Sequence, residues 1–173
     1  MGRRKTSQQG FTFIELAVVL LILGVVATLA FPALHNLVSR DLKTSARHLI
    51  RTVYFLYDRA AATKLDYRLY YNLERQEYWA VVRSGDEFVP VAATFLGRTT
   101  LPETVRFKDV STLHQGKVTE GEAYTGFDPV GRVDKTIFHL AQGDQHELTL
   151  VVNPITGRVK VYEGYWEETG KGS

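Results

Sequence analysis

The sequence predicts an α+β chain in which one long N-terminal helix, apolar on all sides in its first half and amphipathic in its second, packs on an antiparallel β-sheet or sandwich domain. Three observations carry this. An uncharged apolar run extends from Leu16 to Ala33, a three- and four-residue periodicity follows it to about Ala60, and short alternating segments separated by turn residues fill the remainder. With 173 residues there is room for one domain of ordinary size and an extra helical element.

The chain opens on a basic leader. Arg3, Arg4 and Lys5 precede Gly10 and no acid does. These are three of the 21 basic side chains, so without residues 1–10 the chain holds 18 basic against 19 acidic groups, formally −1. Basicity then ceases to argue for a nucleic-acid partner. The absence of cysteine from the sequence excludes both a disulfide framework and a thiolate metal site.

The apolar run covers eighteen residues, relieved only by Gly24, Thr28 and Pro32. At about 1.5 Å per residue it spans about 27 Å, close to a bilayer core. The basic residues before it place that end in the cytoplasm and the bulk of the chain on the other side. A secretory signal peptide would be cut after the run, but Ala30-Phe31-Pro32-Ala33 is interrupted by proline and the run exceeds a usual h-region, so a retained anchor is expected. Pro32 lacks an N–H and predicts a kink or local unwinding between Thr28 and Pro32 rather than a full stop.

Beyond Pro32, Leu34, Leu37, Val38, Leu42, Ala46, Leu49, Ile50, Val53, Leu56, Tyr57 and Ala60 recur on one face, while Arg40, Lys43, Arg47, Arg51 and Asp58 mostly fall elsewhere. A continuous helix from Phe11 to about Lys64 would be on the order of 80 Å long. A domain of the remaining size does not cover that length. The first half must therefore be buried in lipid or among similar helices.

After Lys64 the expected strands are 67–73, 77–83, 88–95, 105–110, 136–140, 147–152 and 158–162. Turn signals separate them, including Asp128-Pro129-Val130-Gly131 and Asn153-Pro154-Ile155-Thr156-Gly157. The stretch from Ser111 to Lys135 reads as a long loop of weak strand character, functional or partly mobile. Glu167 to Ser173 reads as a frayed end, and no internal repeat is evident. The organisation is thus 1–10 leader, 11–34 membrane or filament-core helix half, 35–65 amphipathic half and 66–173 β domain.

Few residues suggest chemistry. His35, His48, His114, His139 and His146 include no pair at the spacing of a helical metal site, so solvated or core-satisfied histidines are expected and no metal or cofactor is implied. There is no Gly-rich phosphate loop and no Gly-x-Ser-x-Gly stretch, and Glu120 with Glu122 reads as a hydrated face, so nothing argues for an enzyme or catalytic residues. Tyr54-Phe55-Leu56-Tyr57 and Tyr70-Tyr71 read as core and core margin rather than a platform for bases. Arg158 and Lys160 form a possible surface cationic patch, read as the solvated side of a strand in preference to a phosphate contact. Glu15 is harder to place. A carboxylate in hydrocarbon is costly unless paired or interfacial, and a cut after Gly10 would create a partner, the α-amine of Phe11.

At this point the residues resemble a known family. A basic leader ending in Gly10, then Phe11-Thr12-Phe13-Ile14-Glu15-Leu16, a long apolar run and Pro32 resemble the class III signal of type IV prepilins and type II secretion pseudopilins. The remainder is similar to H-type minor pseudopilins and fimbrial T-type minor pilins through Phe127-Asp128-Pro129-Val130-Gly131-Arg132 and Thr156-Gly157-Arg158-Val159-Lys160-Val161. The resemblance implies a pilin-like fold, cleavage between Gly10 and Phe11 by prepilin peptidase, and N-methylation of Phe11. It implies partners as well: inner-membrane lipid, the inner-membrane assembly platform of the secretion system, and other pseudopilins or pilins bound through the N-terminal helix, with Glu15 meeting the Phe11 amine of a neighbour. The β domain would lie in the periplasm of a bacterium. A minor type IV pilin in pilus assembly or DNA uptake is the alternative.

Overall fold

The computed structural model describes residues 13–91, 93 and 96–167, and of 27–39 the backbone alone. The leader, the Gly10–Phe11 bond, the His35 side chain, part of the expected strand at 88–95 and residues 168–173 lie outside what the structure describes. The chain divides into two compact units, Met1–Leu37 and Val38–Ser173. One helix, α1 (Phe13–Thr63), contributes to both. Its assigned span passes through Pro32 without ending there, while the proline ring and any kink at it are outside the described residues.

In the second unit the amphipathic stripe settles as expected. Leu42, Ala46, Leu49, Val53, Leu56 and Ala60, spaced by threes and fours, are the buried apolar positions of the helix. The helix ends on Lys64, which takes the left-handed conformation (φ 58°) usually given to glycine and donates its N–H to the Ala60 carbonyl at 3.0 Å.

Ten strands follow, in two antiparallel sheets. The first sheet holds β1 (Tyr67–Asn72), β2 (Glu77–Ser84), β3 (Glu87–Pro90), β4 (Thr99–Thr100) and β7 (Glu122–Phe127). Its order is β3-β2-β1-β7, with β4 also against β2. The second holds β5 (Arg106–Thr112), β6 (Gly116–Val118), β8 (Thr136–Gln142), β9 (His146–Val152) and β10 (Val159–Glu163) in the order β10-β9-β8-β5-β6.

Alternation decides which face each strand buries. Tyr67, Leu69 and Tyr71 of β1, Phe138 and Leu140 of β8 and Leu148, Leu150 and Val152 of β9 join the helix stripe in one cluster. Tyr71 links the sheets, its ring edge-on to Phe107 at 5.9 Å and to Phe138 at 5.0 Å. The Gln76 side chain links them again. Its amide accepts from the Phe107 N–H at 2.5 Å and donates to the carbonyls of Leu73 and, at 3.5 Å, Phe107.

The expected loop at Ser111–Lys135 is corrected by the structure. It contains β6 and β7, and β7 pairs with β1 along its full length, from Tyr67↔Phe127 to Asn72↔Glu122. The inward positions of β7 are Ala123, Thr125 and Phe127, so a polar residue sits where an apolar one is expected. Burial of Thr125 is made tolerable by two hydroxyl partners: Tyr71 donates to it at 3.0 Å and Thr136 lies at 2.8 Å.

Candidate functional site

In the first unit the side chains from Phe13 to Val26 are described, and every large apolar one among them is exposed, from 42% at Val19 to 88% at Phe13. So broad an apolar surface calls for a cover of lipid or protein. Among the described residues no helix is long and apolar enough to cross a membrane, and side chains of the expected span at 16–33 are described only as far as Val26. Glu15 stands in the first turn of α1, where the helix dipole favours a carboxylate.

In the second unit two similar turns dock on the C-terminal end of α1, one through Lys64 and the other through Tyr54 and Tyr57, a likeness the sequence reading passed over. In the segment 128–133 the Asp128 carboxylate accepts from the N–H groups of Val130 (3.1 Å) and Arg132 (2.9 Å), and the Arg132 guanidinium returns to it at 2.9 Å. Burial works against this carboxylate's charge, but the Arg132 backbone and side-chain donors outweigh it and hold Asp128 below the ordinary carboxylate range. In the segment 153–159 the Asn153 amide oxygen accepts from Ile155 and Thr156, both at 3.0 Å. Val133 donates to the Pro154 carbonyl at 3.0 Å, joining the two turns.

Tyr57 is the post the second turn rests on. Its hydroxyl donates to the Ile155 carbonyl at 2.8 Å, and Gly157, at φ 64°, lies flat against its ring. Tyr54 accepts from the Val159 N–H at 3.2 Å, and the Lys64 ammonium donates to the Pro129 carbonyl at 3.2 Å. The aromatic run at 54–57 is therefore core margin, as expected, with both its hydroxyls spent on the backbone of the second turn. Arg158 and Lys160 are both exposed, at the start of edge strand β10. His48 accepts from or donates to the Tyr78 hydroxyl at 2.7 Å, and burial pushes the Tyr78 phenol up to about 12.

A polar cluster that the sequence reading did not foresee occupies the second sheet. A bulge at Lys108 shifts the β5 register between Phe107 and Asp109, so Phe107 faces the core opposite Leu140 while Asp109 faces outward opposite His139. The Asp109 and His139 side chains are 3% and 4% exposed and meet at 2.6 Å through Nδ1. Burial opposes the charge on His139, yet the bonds to Asp109 and to the Trp166 carbonyl prevail and raise its pKa above the ordinary 6.5. Burial likewise opposes the Asp109 charge, and the His139 bond and charge, the Tyr165 hydroxyl and Lys117 prevail and lower its pKa below 3.8. Among the described residues no group of three His, Cys, Asp or Glu is arranged to hold a metal ion.

Comparison with known proteins adds two findings. Residues 5–31 match the prokaryotic N-terminal methylation motif. Two solved structures of the minor pseudopilin EpsH, from the type 2 secretion system of Vibrio cholerae, superpose on the chain at 12% identity. The TM-scores are 0.56 and 0.57, covering 71% and 73% of this chain and 97% of each EpsH chain. The fold is that of a minor pseudopilin. Comparison of the whole sequence with curated proteins returns no match.

Proposed function

We propose that the chain is a minor pseudopilin of a type II secretion system, assembled through its N-terminal helix into a periplasmic pseudopilus that drives protein export. The observation that supports this most is the methylation motif at residues 5–31 joined to the pseudopilin fold. In this reading prepilin peptidase cuts between Gly10 and Phe11, Phe11 is N-methylated, and the subunit waits in the inner membrane with residues 38–173 in the periplasm. Assembly exchanges lipid for neighbouring helices around the apolar surface of Phe13–Val26, a transfer between two apolar environments with little hydrophobic cost. Glu15 then meets the amine of a neighbour's Phe11, a pairing that fixes register. Gly24, beside which nothing lies within 4 Å, leaves room for another helix to approach.

Intact mass of protein purified from cells with and without an active prepilin peptidase tests the reading. Loss of residues 1–10 and gain of one methyl group, dependent on the peptidase, is the expected result. An N-terminus at Met1 in both strains would remove its foundation. The exposure of Arg158 and Lys160 favours a second reading, a minor type IV pilin contacting DNA. That reading requires a salt-dependent mobility shift of DNA by the full chain in detergent, lost on Arg158→Ala with Lys160→Ala.

A further inference from the structure

Asp109, His139, Thr149 and Tyr162 are cross-strand neighbours in one row over β5, β8, β9 and β10, on the face turned away from Phe138 and Leu140. The segment Gly164–Glu167 crosses this row and meets each member. Thr149 donates its hydroxyl to the Gly164 carbonyl at 2.8 Å and accepts from the Trp166 N–H at 2.9 Å. The Trp166 indole stacks on Tyr162 at 4.7 Å, and the Tyr165 ring stacks on His139 at 3.9 Å. The Tyr165 hydroxyl donates to Asp109 Oδ2 at 3.0 Å, and Lys117 reaches Glu167 at 3.0 Å.

The chemistry of the row turns on one ring. His139 Nδ1 faces the Asp109 carboxylate at 2.6 Å and Nε2 faces the Trp166 carbonyl at 2.9 Å. Both ring nitrogens thus point at acceptors, an arrangement fully satisfied only when each carries a proton. We propose that Gly164–Glu167 is a strap latched by a doubly protonated His139, and that loss of one proton from that ring loosens the strap on the outer face of the second sheet.

The neutral ring has a single N–H, and the carboxylate, the stronger acceptor, takes it. The lone pair on Nε2 then faces the Trp166 carbonyl, and an attraction becomes a repulsion. Other charged groups flank the site: Lys117 from β6 and Glu167 from the strap, with Lys108 over the Tyr165 ring at 4.8 Å and Lys135 bordering the same groove as His139. Lys117 and Glu167 are exposed and paired to each other, which leaves the ring as the group whose charge decides the latch.

The test follows His139 and the strap in the same protein, the full chain in nonionic detergent. Nitrogen NMR of the labelled imidazole reports the protonation of both ring nitrogens against pH, and hydrogen exchange, corrected for its intrinsic pH dependence, reports the Trp166 amide. The expected result is two protonated nitrogens at pH 6 and a fall of about tenfold in Trp166 protection, the effect of losing one charge-assisted bond, at the pH where His139 titrates. His139→Gln supplies one donor and one acceptor and is expected to show the low protection at every pH. A singly protonated ring at pH 6, or a strap whose protection ignores the titration, overturns the proposal. Should His139→Gln also lose protection in β8 and β9, the wild-type titration decides by itself.

Discussion

Gly157→Ala tests the docking of the second turn on α1 most directly, because two separate costs can be told apart. The first is conformational. At φ 64° an alanine sits in the left-handed region, which costs roughly 1–2 kcal/mol. Gly143 has nearly the same angle, φ 61°, and an added Cβ there meets nothing within 4 Å, so Gly143→Ala carries that cost alone. At Gly157 the added Cβ would lie 2.5, 2.7 and 2.9 Å from Cγ, Cδ2 and Cδ1 of Tyr57. These atoms are the root of the ring, and the ring is held at its far end by the bond to Ile155.

Relief therefore requires Tyr57 to swing away and give up that bond, which costs about 0.5–1.5 kcal/mol, with displaced packing adding about 1–3 kcal/mol. The excess of Gly157→Ala over Gly143→Ala is about 2 kcal/mol, or about 4–8 °C in Tm for a chain of this size. Thermal unfolding of the full chain in nonionic detergent, followed by near-UV circular dichroism, measures both variants. Equal Tm for the two would show that Tyr57 yields freely and that the turn is not held against the helix.

Three further outcomes are expected. Thr125→Val leaves the buried Tyr71 hydroxyl, whose pKa burial raises, with no acceptor and destabilises by about 1–3 kcal/mol in equilibrium unfolding; adding Tyr71→Phe recovers part of the loss. The His139 contribution to stability, from a raised pKa, is full below 6.5 and is lost as pH climbs through the folded value. The Asp109 contribution, from a lowered pKa, is full above 3.8 and is lost as pH falls through the folded value. Tm is thus greatest between about 4 and 6.5 relative to Asp109→Asn paired with His139→Gln, and a flat difference across pH would refute the ion pair. Under the proposed function Glu15→Leu leaves cleavage after Gly10 intact and abolishes incorporation into filaments, whereas a simple anchor would tolerate it, as fractionation of sheared filaments would reveal.

The sequence was most informative where periodicity is long and apolar. The helix stripe from Leu42 to Ala60 and most strands were legible because most of their buried side chains are hydrophobes at regular spacing. Strand β7 was hidden because its central inward residue is Thr125, whose burial depends on hydroxyl partners 54 and 11 residues away. The Asp109–His139 pair was hidden for a different reason. Counting by twos from Phe107 turns Asp109 toward the core, and only the extra residue Lys108 turns it outward to a histidine 30 positions along. The strap went unread because Gly164–Glu167 is too short to show a period and lies between the last expected strand and the polar end, although Tyr165 and Trp166 are large rings that require something to pack on.

The resemblance between the turns at 128–133 and 153–159 has a mechanical meaning within the second unit. Each carries an Asx side chain that closes the turn, a glycine with positive φ that lets backbone approach the helix, and a carbonyl or N–H that meets a side chain of α1. Earlier in the same helix, Asp41 accepts from the Thr104 hydroxyl at 3.0 Å and His48 meets Tyr78, so the fastenings run from Asp41 to Lys64 and reach the first sheet at Tyr78 and the second at Val159. Between them lies the buried stripe. A force applied along α1 in this unit is therefore shared among sites more than twenty residues apart in the helix, and no single bond has to carry it. Under the proposed function that is the requirement on a subunit pulled by its helix: the β domain must follow the helix rather than be stripped from it. Tyr57 makes one of these fastenings, its hydroxyl bonded to the Ile155 carbonyl and its ring against Gly157, so its glycine neighbour is the place to perturb it.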